Sequence, residues 1–166
     1  LFARIAAPDP YDFFLSVSLL LVATDPHGAV IGVLMALPPV QILGQARQAG
    51  VPIADVRVAA KTVVKIKAVA VAPDARGAGV GSALIDQCLA VYTQLGWRLI
   101  YGQIDADSTL DVYYSRLGFA VLDRGQGIDL DDLLGFPLSI HSLPVERLFL
   151  RRTPDDGPGP AEPGSS

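Results

Sequence analysis

Two apolar runs, SVSLLLVAT and AVIGVLMAL, flank Asp25-Pro26-His27-Gly28 near the start of the chain. Aliphatic and β-branched residues on both sides of a Pro/Gly turn predict a hairpin over residues 16–37. QILGQARQAG, residues 41–50, has a short helical pattern closed by Gly50. TVVKIKAVAV, residues 62–71, alternates and then turns wholly apolar, as a strand entering the middle of a sheet would. From Val80 onward, Val80, Ala83, Leu84, Cys88, Val91 and Leu95 recur at helical spacing until Gly96.

WRLIYGQI, residues 97–104, reads as another strand. Ser108-x-x-Asp111 then has the form of a capping box, opening a helix with Leu110, Tyr113, Tyr114 and Leu117 on one face and Gly118 at its end. FAVL follows as a strand. Residues 123–140 form an acidic, Gly-containing insertion whose Asp129, Asp131 and Asp132 read as a solvated loop, and VERLFLRR is a last strand reaching Arg152. TPDDGPGPAEPGSS, residues 153–166, has the composition of a disordered tail. The order β β (α) β α β α β β predicts one mixed α/β (α+β) domain over residues 1–152, with a central sheet flanked by helices. Helices follow strands only in the second half, which is where chemistry is expected.

Composition narrows the class. At 166 residues the chain suits one domain with a substantial core. It is 51% apolar, but its longest apolar stretches are about half the ~20 residues a membrane-spanning helix needs. They read as buried strands, and no membrane association is expected. Neither a positive leader region nor a cleavage pattern opens the chain, which starts at Leu1. A single cysteine, Cys88, excludes an internal disulfide framework and suits a cytoplasmic protein. Two distant histidines, His27 and His141, do not make a metal site, so no metal is expected. A net charge of −4 argues against nucleic-acid binding, which rests largely on Lys and Arg neutralising phosphates.

The stretch VAVAPDARGAGVGS holds the candidate chemistry. A strand running into a glycine-rich turn and then a helix gathers unpaired backbone N–H groups and the positive end of the helix dipole at one point. A Cβ there would keep an anion away from the backbone, so Gly77, Gly79 and Gly81 favour an anion site over a plain turn, and Arg76 adds a cation. A P-loop is excluded because no Gly-Lys-Ser/Thr follows. The dinucleotide pattern G-x-G-x-x-G fails at Ser82 when counted from Gly77. What fits is Arg-x-x-Gly-x-Gly, at Arg76, Gly79 and Gly81.

With that spacing, the chain resembles the GNAT superfamily of acyl-coenzyme A-dependent N-acyltransferases over roughly residues 16–122. VAVAPDARGAGVGSALI is similar to the family's pyrophosphate loop and the strand before it. DVYYSRLGFAV is similar to its later helix, where a tyrosine stands four residues before Gly-Phe. The resemblance implies a mostly antiparallel central sheet and acetyl-CoA as acyl donor. It implies that backbone amides from Arg76 through Gly77, Ala78, Gly79, Val80 and Gly81 to Ser82 cradle the pyrophosphate. The edge of Val69, Ala70 and Val71 would bind the pantetheine arm like an added strand. Tyr114 takes the position of the proton source for the leaving thiolate, and Tyr113 is read as a core aromatic.

Two departures stand out. Lys65 occupies the position where some members carry a glutamate base, leaving Asp105, Asp107, His141 and Glu146 as remote candidates. Only LFARIAAPDPYDFF precedes the hairpin, where the family has a strand and one or two helices, so a truncated front or a different acceptor side is expected. The expected activity is acetyl transfer to the primary amine of a small molecule, with a homodimer as the candidate assembly. A protein or peptide acceptor, a non-catalytic acyl-CoA sensor and a nucleotide-binding protein are the alternatives.

Overall fold

The structure is a computed structural model, and it describes residues 17–153. The tail read over 153–166 falls outside those residues except for Thr153, which donates its N–H to Arg98 O and its hydroxyl to Trp97 O.

Strands β1 (Leu19–Thr24) and β2 (Val30–Leu37) form the predicted hairpin. Its turn is tied by Asp25, whose side chain accepts from the N–H groups of His27 and Ala29. Helix α1 (Val40–Gln48) follows, then α2 (Ile53–Thr62), which the sequence reading missed. Pro52 leads into α2, and Val56, Ala59 and Ala60 are its buried side, an i, i+3, i+4 pattern. Then come β3 (Val63–Val71), a single 3₁₀ turn at Pro73–Ala75 and helix α3 (Val80–Gln94). After α3 come β4 (Leu99–Asp105), α4 (Leu110–Arg116) and β5 (Ala120–Val121). The insertion holds β6 (Ile128–Asp129), α5 (Asp131–Leu134) and β7 (Ser139–Ile140), and β8 (Glu146–Arg152) closes the fold.

The main sheet has the order β1-β2-β3-β4-β8-β5, and every neighbouring pair is antiparallel except β3–β4. The expected mixed, mostly antiparallel α/β sheet is therefore observed. Its main core joins α3, with Leu84, Ile85 and Cys88, to Leu34, Val64, Ile100 and Phe149 of the sheet. A second core covers the opposite face, where Val63, Leu99, Tyr101 and Leu148 meet Ile128, Leu130 and Ile140. The insertion is thus no solvated loop. Its aspartates are exposed, but its alternate apolar residues cap the sheet.

The capping box does not form. Ser108 Oγ donates to Asp105 O, Asp111 accepts from its neighbour Val112, and the N-cap position falls to Thr109 with no side-chain cap bond. Asp111 is drawn away by Arg147, 3.3 Å from its other oxygen. Among the described residues, no helix is long and apolar enough to cross a membrane.

Candidate active site

The site begins where two strands part. β3 pairs with β4 only from Val63 to Lys65, opposite Leu99 to Tyr101, although both strands run on. β3 stays paired with β2 as far as Val71, so the cleft opens between β3 and β4. A β-bulge lies at this point. Met35 pairs with Ala68 and Ala36 with Ile66, leaving Lys67 without a partner position on β2. A bulge bends its strand, and an extra residue reverses the in/out alternation. Val69 and Val71 therefore join the helix-side core face already used by Val64 and Ile66.

The bared edge of β3 can be assigned from one bond. Ala72 donates its N–H to Ile31 O, on the β2 side. Because successive amides point to opposite edges, the N–H groups of Val69 and Val71 point into the cleft, whereas that of Ala70 points to β2. Arg76 Nε donates to Val71 O at 3.2 Å, so the guanidinium sits at the cleft end of the strand.

The glycine loop follows. Gly77 has φ 78° and Gly79 φ 83°, a region that a Cβ disfavours, and no atom lies within 4 Å of where their Cβ atoms would be. Gly79 is the N-cap of α3. Arg76 N–H is taken by Pro73 O, and the first loop-to-helix bond runs from Ala83 N to Gly79 O. Between them, the N–H groups of Gly77, Ala78, Gly79, Val80, Gly81 and Ser82 make no hydrogen bond of normal length and angle to a carbonyl among the described residues. The Arg76 amide is therefore used within the turn, and the open donors run from Gly77 to Ser82. It combines uncommitted donors with the positive end of a 15-residue helix, an arrangement suited to a diphosphate.

The two tyrosines differ in burial. Tyr114 is the buried one, 7% exposed, and burial pushes its phenol up to about 12, with Tyr113 adding to the shift. Its ring also meets Phe119 edge-on, at 5.8 Å between centroids. Tyr113 is half-buried and reaches the glycine loop. A Cβ on Gly81 would stand 2.9 Å from its hydroxyl oxygen and 3.5 Å from a Val71 methyl. A phenol at the loop is thus a feature the sequence reading missed, and only a long-range contact could have shown it.

On the opposite face, Lys65 donates to Gln103 Oε1, and Gln103 Nε2 donates to Glu146 Oε2 at 2.8 Å. This file crosses β3, β4 and β8. Burial lowers the Lys65 pKa, Lys67 lowers it further, and Glu146 opposes the shift.

The other candidate bases, Asp105, Asp107 and His141, are all exposed. Asp105 Oδ1 accepts from Asp107 N at 2.9 Å, Asp107 pairs with Arg124, and His141 lies exposed against Gly127. The Asp129–Asp132 cluster lines an open cavity of about 490 Å³ with Leu150 and Arg152. That cavity lies at the opposite end of the sheet from the cleft, since Arg152 pairs with Leu99 whereas Glu146, at the cleft end, pairs with Asp105. Asp132 is bound by Arg152 at 2.9 Å, and Asp131 accepts from Leu138 N.

Known proteins share this frame. The sequence matches the acetyltransferase (GNAT) domain family over residues 18–121. No curated protein matches the chain at a significant level. A GCN5-related N-acetyltransferase from Kribbella flavida superposes with a TM-score of 0.53 at 21% identity, over 92% of this chain and 74% of that one. Ribosomal-protein-alanine N-acetyltransferase from Brucella melitensis superposes at 0.55 with 16% identity, over 84% and 71%. Nourseothricin acetyltransferase superposes at 0.52 with 18% identity, over 89% and 69%. With more than half of its residues inside the family's domain and a sheet that parts beside a glycine-rich helix mouth, the chain belongs to the GNAT acetyltransferases and is an acetyl-CoA-dependent acetyltransferase.

Proposed function

We propose that this chain is an N-acetyltransferase that passes the acetyl group of acetyl-CoA directly to the primary amine of a small molecule. The observation that carries the reading is the row of uncommitted amides from Gly77 to Ser82 at the mouth of α3, next to a strand edge that aims two more amides into the same cleft. In this reading the row holds the diphosphate, with Arg76 beside it. Val69 and Val71 hydrogen-bond the pantetheine arm, and Ala70 contributes only its place in the strand.

The chemistry then falls to a few groups. The amide of Val69 or Val71 donates to the thioester oxygen as it gains negative charge. Tyr114, a phenol protonated throughout the neutral range and held so further into alkali by its burial, gives a proton to the departing thiolate. Tyr113, with its hydroxyl at Gly81, lines the path of the arm between α3 and α4.

A small acceptor is favoured by the scale of the polar file at the apex of the cleft, where three side chains offer one amine-sized anchor. The test is thiol release from acetyl-CoA with a panel of small primary amines, run beside peptides with free N-termini. Turnover with small amines is expected. Turnover with peptides alone would overturn the small-molecule assignment.

A further inference from the structure

We infer that Glu146 is the carboxylate that receives the acceptor's ammonium group and takes its proton, and that Gln103 and Lys65 are the positioning residues that aim it. The inference rests on the acetyl-transfer reading above and adds to it the group that handles the amine.

The two faces of the cleft differ. Helices α3 and α4 and the cluster of Tyr113, Tyr114, Phe119 and Phe149 close one side. On the other, Lys65 stands at the last paired position of β3, Gln103 follows two residues beyond Tyr101 on β4, and Glu146 begins β8 opposite Asp105. Alternation puts Lys65, Gln103 and Glu146 on the face of Val63, Tyr101 and Leu148, away from the helices. All three are half-buried. An amine approaching from this face meets them at the level where the strands part.

The polarity of the file is fixed by chemistry. A lysine ammonium has only donors, so it takes the Gln103 oxygen, and the amide nitrogen must then point at Glu146. Glu146 is held through Oε2 alone, by Gln103 Nε2 at 2.8 Å and by Leu143 N at 3.4 Å. Its Oε1 accepts no hydrogen bond among the described residues. A half-buried carboxylate with one oxygen clamped and one open is built to receive a cation. Lys65, already donating to Gln103, serves as the tether.

The step balances. The acceptor's ammonium gives one proton to the Glu146 carboxylate, which frees the nitrogen lone pair. The nitrogen attacks the thioester carbon, a C–N bond forms and the C–S bond breaks. The thiolate is protonated by Tyr114. The amide nitrogen sheds its second proton to water, which restores the phenol, and Glu146 releases its own proton to solvent. The charged groups around Glu146 are Lys65 and Lys67 on β3, Asp105 across from it on β4, and Arg147 beside it on β8. Arg147 turns to Asp111 and to the Leu122 carbonyl.

The experiment is steady-state kinetics at neutral pH on the wild type, Glu146→Gln, Glu146→Asp and Gln103→Leu, with coenzyme A affinity measured separately by calorimetry. Glu146→Gln is expected to lower kcat/KM for the amine roughly 10²-fold and to leave the KM for acetyl-CoA unchanged. Glu146→Asp should recover part of the loss. Gln103→Leu, which keeps the carboxylate but frees it, should raise the amine KM with a smaller change in kcat. A Glu146→Gln enzyme within threefold of wild type overturns the inference while leaving acetyl transfer intact. A wild-type enzyme that binds coenzyme A but acetylates no amine overturns the transfer reading itself. If Glu146→Gln does not fold, an unchanged amine KM in Gln103→Leu is the overturning result.

Discussion

The rings of Tyr114 and Phe149 lie stacked, with centroids 3.7 Å apart and planes 16° from parallel. Such a pair contributes on the order of 1 kcal/mol beyond the area it buries. It also fixes a phenol from a two-turn helix against the strand β8. Replacing Tyr114 by Phe keeps the stack and removes only the hydroxyl. We expect kcat to fall roughly 10²-fold with the KM for acetyl-CoA and the melting temperature nearly unchanged. Equal losses in kcat and in coenzyme A affinity would make the hydroxyl structural.

Phe149 in turn lies on Gly102, its partner across the β4–β8 pair, where a Cβ would come within 2.2 Å of the ring. Gly102→Ala must push the ring away and disturb Tyr114 behind it. Overpacking of this kind costs about 1–3 kcal/mol, so Tm should fall by roughly 3–10 °C, and turnover should drop further than coenzyme A affinity. A variant that melts with the wild type would show that the stack slides freely.

Gly79→Asp tests the cradle by charge. The substitution places a carboxylate among the donors at φ 83°, and calorimetry should show coenzyme A binding lost. Gly135→Asp is the control, because Gly135 has φ 74° with open space around it and lies in the insertion, away from the cleft. It shares the backbone strain and should bind normally. Equal loss in both variants would assign the effect to strain.

Alkaline stability follows from four buried acids, Cys88, Tyr92, Tyr101 and Tyr114, each raised by burial. Burial raises Cys88 from 9.0 to about 12 and Tyr114 from 10.0 to about 12. Each binds its proton more tightly in the fold than in the unfolded chain, so their stabilisation is complete below the unfolded pKa and is lost as pH rises towards 12. Thermal melts should show Tm declining from about pH 9. In Cys88→Ala, the decline should begin nearer pH 10, where Tyr92, Tyr101 and Tyr114 take over. A Tm flat from pH 9 to 11 would contradict the burial of these groups.

The hairpin, the glycine loop, α3 and the Tyr-x-x-x-Gly-Phe helix were legible because each is local. A run of apolar residues, a glycine at the right offset or a 3.6-residue period needs no knowledge of the rest of the chain. Helix α2 carried its own period at Val56, Ala59 and Ala60 but was passed over between Pro52 and the strand. The insertion was misread because three aspartates outweighed Ile128, Leu130 and Ile140, whose role depends on the sheet beneath them. Three features had no local signature. The bulge at Lys67 depends on the register against Met35 and Ala36, the contact of Tyr113 with Gly81 spans two helices, and the Lys65–Gln103–Glu146 file joins residues 38 and 43 positions apart. Asp111 looked like a cap until Arg147, 36 positions away, claimed it.

The most direct measurement is a ¹H–¹⁵N NMR titration of the assigned protein with coenzyme A. If the helix mouth holds the diphosphate, the amide resonances of Gly77 to Ser82 shift most, those of Val69 and Val71 move with the same saturation curve, and Ala70 moves less. Binding that leaves the Gly77–Ser82 resonances in place while others shift would put the acyl donor elsewhere in the molecule.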